Sequence, residues 1–158
     1  MVDTSENWRG IDVKREKSHD AMVVILTTGN PSIFTYIKDL MVFAATVGYS
    51  RKVRTPLHGE TQGIILDTYH SDGKDGYVYL YGLLESQNGE CLKIENLRET
   101  VKIYEEFCNA GLYEIKSWLD GNPADVTGIE TILTKIYEEI SMTEDAETTD
   151  PGGIEIEI

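Results

Sequence analysis

Cysteine, metal-ligand clusters and long apolar runs are what this 158-residue chain has least of, and each shortage removes a class of function. Its two cysteines, Cys91 and Cys108, stand far apart, and Cys108 falls on the apolar stripe of a predicted helix. Both are therefore expected as reduced thiols serving as small hydrophobes. No run approaches the roughly 18 apolar residues of a membrane span. The opening MVDTSENWRG lacks the cationic start, apolar core and cleavage site of a secretory signal, so a soluble cytoplasmic protein without a membrane partner is expected. The histidines, His19, His58 and His70, are spread over caps and loops with no cysteine or carboxylate at ligand spacing, which predicts exposed rings and no metal site. Phosphate-loop, dinucleotide, nucleophile-elbow and metalloprotease motifs are missing, and no cofactor is expected. Ser71 to Gly76 lacks the later carboxylate of a calcium loop and reads as a turn. The glutamates Glu105, Glu106, Glu114, Glu138 and Glu139 lie on predicted helices, where adjacent side chains diverge; they read as a solvated flank, and no catalytic residue is assigned.

What is present in quantity is negative charge. The chain carries 28 Asp and Glu against 14 Lys and Arg, a formal charge of −14. The distribution is uneven: residues 1–57 hold eight cations and six acids, a balance of +2, and the remaining 101 residues hold six cations and 22 acids, a balance of −16. An acidic body repels phosphates, so any contact with nucleic acid is expected from the N-terminal third. With 41% hydrophobic residues and this length, one domain with a real core is expected.

The pattern predicts a mainly α domain of about five helices behind a short strand. Residues 1–10 read as a flexible start, 11–141 as the helical domain and 142–158 as an acidic tail whose alternating Ile154 to Ile158 would suit an edge strand. Ile11 to Arg15 alternates as a half-exposed strand. Ser18 is placed to cap a helix from His19 to Thr28, although Val23-Val24-Ile25 would equally suit a strand. Ile33 to Val47 is almost wholly apolar, as in a helix enclosed by others, with Ser32 or Thr35 as its cap and Gly48 as its left-handed stop. Gln62 to Tyr69 suits either a strand or a helical turn. Tyr77, Leu80, Tyr81 and Leu84 fall on one helical stripe. Asn96 with Glu99, and Thr127 with Glu130, open two further helices. Leu97, Val101, Tyr104, Cys108, Leu112, Ile115 and Leu119 line the first, and Ile129, Ile132, Leu133, Ile136 and Ile140 line the second.

Two cationic clusters are the candidate nucleic-acid contacts: Lys14, Arg15 and Lys17 after the strand, and Arg51, Lys52 and Arg54 after the apolar helix. The competing reading pairs them with the chain's own carboxylates, within one molecule or across a dimer. Tyr49, beside Arg51, is placed either to stack on a base or to pack in the core. The strand–helix–helix order of residues 11–47 also suits a ribbon-helix-helix start, in which Ile11 and Val13 face the core and the strand pairs with its mate in a homodimer.

Ile33 to Tyr36, Lys38-Asp39, Phe43-Ala44-Ala45, Gly48-Tyr49 and the basic loop to Pro56-Leu57, followed in order by Tyr104 to Leu112, resemble small proteins associated with bacterial DNA phosphorothioation (Dnd) systems. Cys108, Ala110 and the Ile-Glu tail depart from the family's pattern. The resemblance implies a place beside the machinery that puts sulfur into the DNA backbone and uses the mark in defence. It also implies packing roles for Phe43, Ala44, Ala45 and Gly48, and a close helix approach at Gly111. No catalytic residue is carried over. The expected function is a non-enzymatic accessory or regulatory protein of modification and restriction, contacting DNA or a DNA-acting protein partner. The alternative is an acidic interaction module or inhibitor that occupies a partner's nucleic-acid surface.

Overall fold

The computed structural model describes residues 7–148. Its axis is the longest helix, α5 (Leu97–Asp120), which at 1.5 Å per residue is about 36 Å long. The stripe expected from the sequence does the packing: Leu97, Val101, Tyr104, Cys108, Leu112 and Ile115 are buried. Around it lie β1 (Asp12–Glu16), α1 (Asp20–Thr28), α2 (Ile37–Ser50), β2 (Thr61–Ile65), α3 (Leu66–His70), α4 (Asp75–Ser86) and α6 (Ile129–Thr148). The described residues are thus mainly α, with six α-helices and one two-stranded sheet.

The α2–α5 crossing organises the core. Ala44 and Ala45 have no exposed surface, and Gly48 and Gly111 let the two backbones touch. A Cβ on Gly111 would stand 1.8 Å from the Ala44 carbonyl oxygen, and one on Gly48 2.1 Å from that of Phe107. Gly48 is therefore inside α2, not its stop. The helix ends two residues later, at Ser50, and Lys52 then takes the left-handed conformation (φ 57°), with Val53 N–H donating to the Gly48 carbonyl and Lys52 N–H to that of Tyr49. α2 begins at Ile37, with Tyr36 extended before it, and neither Ser32 nor Thr35 caps it.

β1 pairs antiparallel with β2 of the same chain, Val13 opposite Ile64, and the Lys14 N–H donates to Glu105 on α5. Both edges of β1 are thus engaged within the molecule at Lys14, so the strand is not offered to a second copy as a ribbon-helix-helix dimer requires. Ile11 and Val13 do face the core. The ambiguous stretch after the basic loop proves to be both elements, β2 running straight into α3.

Four further expectations change. Residues 19–28 are helical, but His19 occupies the cap position and Ser18 instead donates to the Glu16 carboxylate. α4 turns Val78 and Tyr81 inward, Tyr81 meeting the Thr46 hydroxyl at 2.8 Å, and leaves Tyr77, Leu80 and Leu84 exposed. Thr127 shares the start of α6 with Asp125: Thr127 Oγ1 accepts from Ile129 N–H at 3.4 Å, and Asp125 accepts from Gly128 N–H and Thr131 N–H at 3.1 and 2.8 Å. α6 continues to Thr148, past the tail boundary expected at 141. Trp8 is ordered in a 3₁₀ turn with its ring edge-on to His70. The expected edge strand at Ile154–Ile158, and residues 1–6, lie outside the described residues.

Candidate functional site

The basic loop leaves α2 at Arg51 and crosses the middle of α5 before entering β2, and α5 supplies most of what it meets. Thr55 N–H donates to the Glu106 carbonyl. Asn109, a polar residue inside the apolar run Phe107 to Leu112, turns its amide toward the loop, donating to the Thr55 and Pro56 carbonyls at 3.2 and 3.3 Å and to Glu16 Oε1 at 3.0 Å. Glu16 ends β1 and is 2% exposed. Its carboxylate also accepts from the His58 N–H (2.8 Å), the Tyr113 hydroxyl (2.6 Å) and Ser18 (3.0 Å). Because the Asn109 Nδ2 group donates to these acceptors, its Oδ1 is the acceptor for His19 Nε2 at 2.9 Å, so that ring nitrogen carries a proton. His19, buried to 2%, also stacks edge-on against Tyr113. This overturns the expectation of three exposed histidines: Asn109 gives the His19 ring a buried partner that linear spacing does not reveal.

Burial alone would raise the Glu16 carboxyl; the donors from Tyr113, His58, Asn109 and Ser18 outweigh it and hold the pKa at about 2. Glu105 is the opposite case. Burial pushes it up to about 7, against the Lys14 N–H and the Lys14 charge that favour the carboxylate, with Glu106 and Asp12 adding repulsion.

Four of the six candidate cations, Arg15, Lys17, Arg51 and Arg54, meet carboxylates of the chain. Arg51 donates from Nη2 to Glu139 at 2.6 Å and lies 3.5 Å from Glu114. Arg54 places Nε and Nη2 on Glu106 at 2.9 and 2.8 Å and Nη1 on Glu85 at 3.0 Å. Burial opposes the Arg54 charge, yet the two carboxylates more than offset it and its pKa is raised. Arg15 is 7% exposed and bound to Asp20; Lys17 lies 3.3 Å from Glu60. The exposed Lys52 sets its ammonium 4.0 Å from the Tyr49 ring centre, and Tyr49 itself packs against Tyr81 and Phe107. Lys14 is exposed, with its backbone tied to Glu105.

The second cluster therefore meets α5 at Glu106 and Glu114, and the first touches it only through the Lys14 backbone at Glu105, its Arg15 and Lys17 going to Asp20 and Glu60. Glu106, expected on a solvated flank, is 7% exposed because Arg54 covers it. Sequence reasoning missed Glu16, His19, Asn109 and Tyr113. The signals were slight: one glutamate among Lys14, Arg15 and Lys17, and one asparagine amid the apolar centre of α5. Among the described residues no group of three His, Cys, Asp or Glu side chains is arranged to hold a metal ion, and no helix is long and apolar enough to cross a membrane.

The family model for DNA sulphur modification system-associated protein 4 matches residues 12–150. No curated protein and no solved structure matches the chain.

Proposed function

This chain belongs to the DNA sulphur modification system-associated protein 4 family, and we propose that it serves such a system as a non-enzymatic accessory or regulatory protein acting through a protein component of the machinery. The observation that carries this reading is the double engagement of Arg51 and Arg54: to reach either guanidinium, a phosphate has to displace two carboxylates. It also has to approach a chain of net charge −14. The non-enzymatic role is supported by the polar set around Glu16, where each carboxylate oxygen accepts from two donors within the chain. This is the arrangement of a fastening rather than of a reactive group.

Direct DNA contact is the second reading. It is favoured by the exposure of Lys14, Lys17 and Lys52 and by a cavity of about 300 Å³ whose lining includes Lys52, Arg54 and Gln87. One experiment separates the two. The chain is co-expressed with the protein components of a DNA sulphur modification system and analysed by size exclusion with light scattering. In parallel, the isolated chain is titrated into labelled duplexes, sulphur-modified and unmodified, at low salt. A defined complex with one component, and no anisotropy change with either duplex, is the expected outcome. Duplex binding that weakens steeply with salt and vanishes in an Arg51, Lys52, Arg54 triple alanine variant would replace this reading with the second.

A further inference from the structure

α6 is more apolar than its seat. At 100° per residue, Ile132, Ile136, Ile129, Ile140, Leu133 and Tyr137 occupy an arc of roughly 140° on the helix. The body covers one end of that arc: Ile132 is fully buried and Ile136 half-buried. The other end is open, with Leu133, Tyr137 and Ile140 exposed to 47, 70 and 51%, and no side chain from Leu133 to Ala146 is buried. The open stripe borders an apolar cleft of about 190 Å³ between α2, α5 and α6, lined by Phe43, Val47, Trp118, Ile136 and Ile140 among others. A stripe continuous with an unfilled cleft is a binding surface for a further apolar element.

Charge selects the occupant. α6 contains six carboxylates (Glu130, Glu138, Glu139, Glu144, Asp145 and Glu147) against one lysine, a balance of −5, and from Ile136 to the C-terminus there is no Lys, Arg or His. Lys135 is committed to Glu138, and Arg51 to Glu139 and Glu114. A second copy of this helix would bring the same carboxylates against themselves. The chain's own Ile154, Ile156 and Ile158 alternate with Glu155 and Glu157 and meet the same repulsion. We propose that the open face of α6, with the cleft beside it, docks a cationic amphipathic helix of a protein partner, apolar at i, i+3, i+4 and i+7 and flanked by Lys or Arg. The proposal rests on the reading that this protein acts by protein contact, and it names the surface and the partner's chemistry.

The probe is a labelled 18-residue helical peptide with leucines at that spacing and lysine flanks, compared with the same peptide carrying glutamate flanks. It is titrated into the full chain and into a Leu133, Tyr137, Ile140 triple serine variant, with Tyr137→Ala as the milder change. These side chains are exposed, so thermal melting of the variants is expected to stay within a few degrees of the parent. Affinity for the lysine peptide is expected to fall about tenfold or more in the triple variant and with the glutamate flanks. A Trp8→Phe chain, leaving Trp118 as the sole indole, should show the peptide's arrival as a fluorescence change. Equal affinity for both peptides, no binding of the lysine peptide, or a triple variant that binds as well as the parent would overturn the proposal. So would a homodimer abolished by the triple variant, or a tenfold gain on replacing Ile154, Ile156 and Ile158 by serine, because either shows another occupant. A machinery complex that forms equally well with the triple variant defeats this surface while leaving the functional reading intact; no complex with any component defeats that reading itself.

Discussion

Glu16 and Glu105 are both drawn into the molecule, and the number of donors each meets decides which way its carboxyl is displaced. Glu16 has donors on both oxygens, so its folded pKa of about 2 lies below the ordinary 4.5. The unfolded chain then binds the extra proton between those values, and Glu16 contributes stability above pH 4.5 that is lost as pH falls toward 2. Glu105, at about 7, binds its proton more tightly when folded, so stability declines as pH rises from 4.5 through 7. Urea midpoints measured at pH 3, 5 and 8 are expected to lose the acid limb in Glu16→Gln and the neutral limb in Glu105→Gln, with the latter variant more stable than the parent at pH 8. Glu16→Gln should also cost roughly 1–3 kcal/mol at pH 7, because an amide cannot accept from every donor gathered there. Neither shift is legible in the sequence, since Glu16 lies 93 residues from Asn109 and its donors come from three separate stretches of chain.

At the scale of elements, periodicity carried furthest where a helix is enclosed by its neighbours, as α5 is by α2, α4 and β1. The α5 stripe read from the sequence is the buried stripe in the fold. For α4 and α6 the spacing gave a helix but not its inward face, because Tyr81 is turned by a hydroxyl on α2 and α6 has more apolar arc than contact. Gly48 misled for a related reason: a glycine near a helix end reads as a stop, whereas this one is set by the carbonyl of a residue 59 positions later. The glycine crossing makes a sharp prediction. Gly111→Ala is expected to cost about 4 kcal/mol or more, or to abolish soluble expression, since the neighbouring atom is backbone and cannot turn aside. Gly76→Ala, in open space within α4, should be neutral or stabilising by up to about 1 kcal/mol; the two urea midpoints make the comparison.

Over the whole molecule, folding sets the cations of the basic loop against carboxylates of the acidic remainder, while the net charge stays at −14. Arg51 and Arg54 reach Glu85, Glu106, Glu114 and Glu139; Lys38 reaches Asp72, and Lys74 reaches Asp39. Each exposed pair is worth about 1 kcal/mol or less, so they orient the loop and the helices more than they hold the core together. The core is tested through Cys108, which is fully buried and donates to the Met41 carbonyl across the α2–α5 interface. An aromatic disulfide reagent is expected to titrate Cys91 promptly and Cys108 only at the rate of global opening, accelerating with urea. Two prompt equivalents would mean that α2 separates from α5 well before the fold is lost. The glycine joint argues against that, and it reaches further. Where main chain rests on main chain there is no intervening rotamer to flip, so neither helix can roll or slide without lifting off the other. Arg51 and Arg54 stand within one or two turns of that joint and inherit its stiffness. Each guanidinium therefore meets its two carboxylates from a mount that stays still.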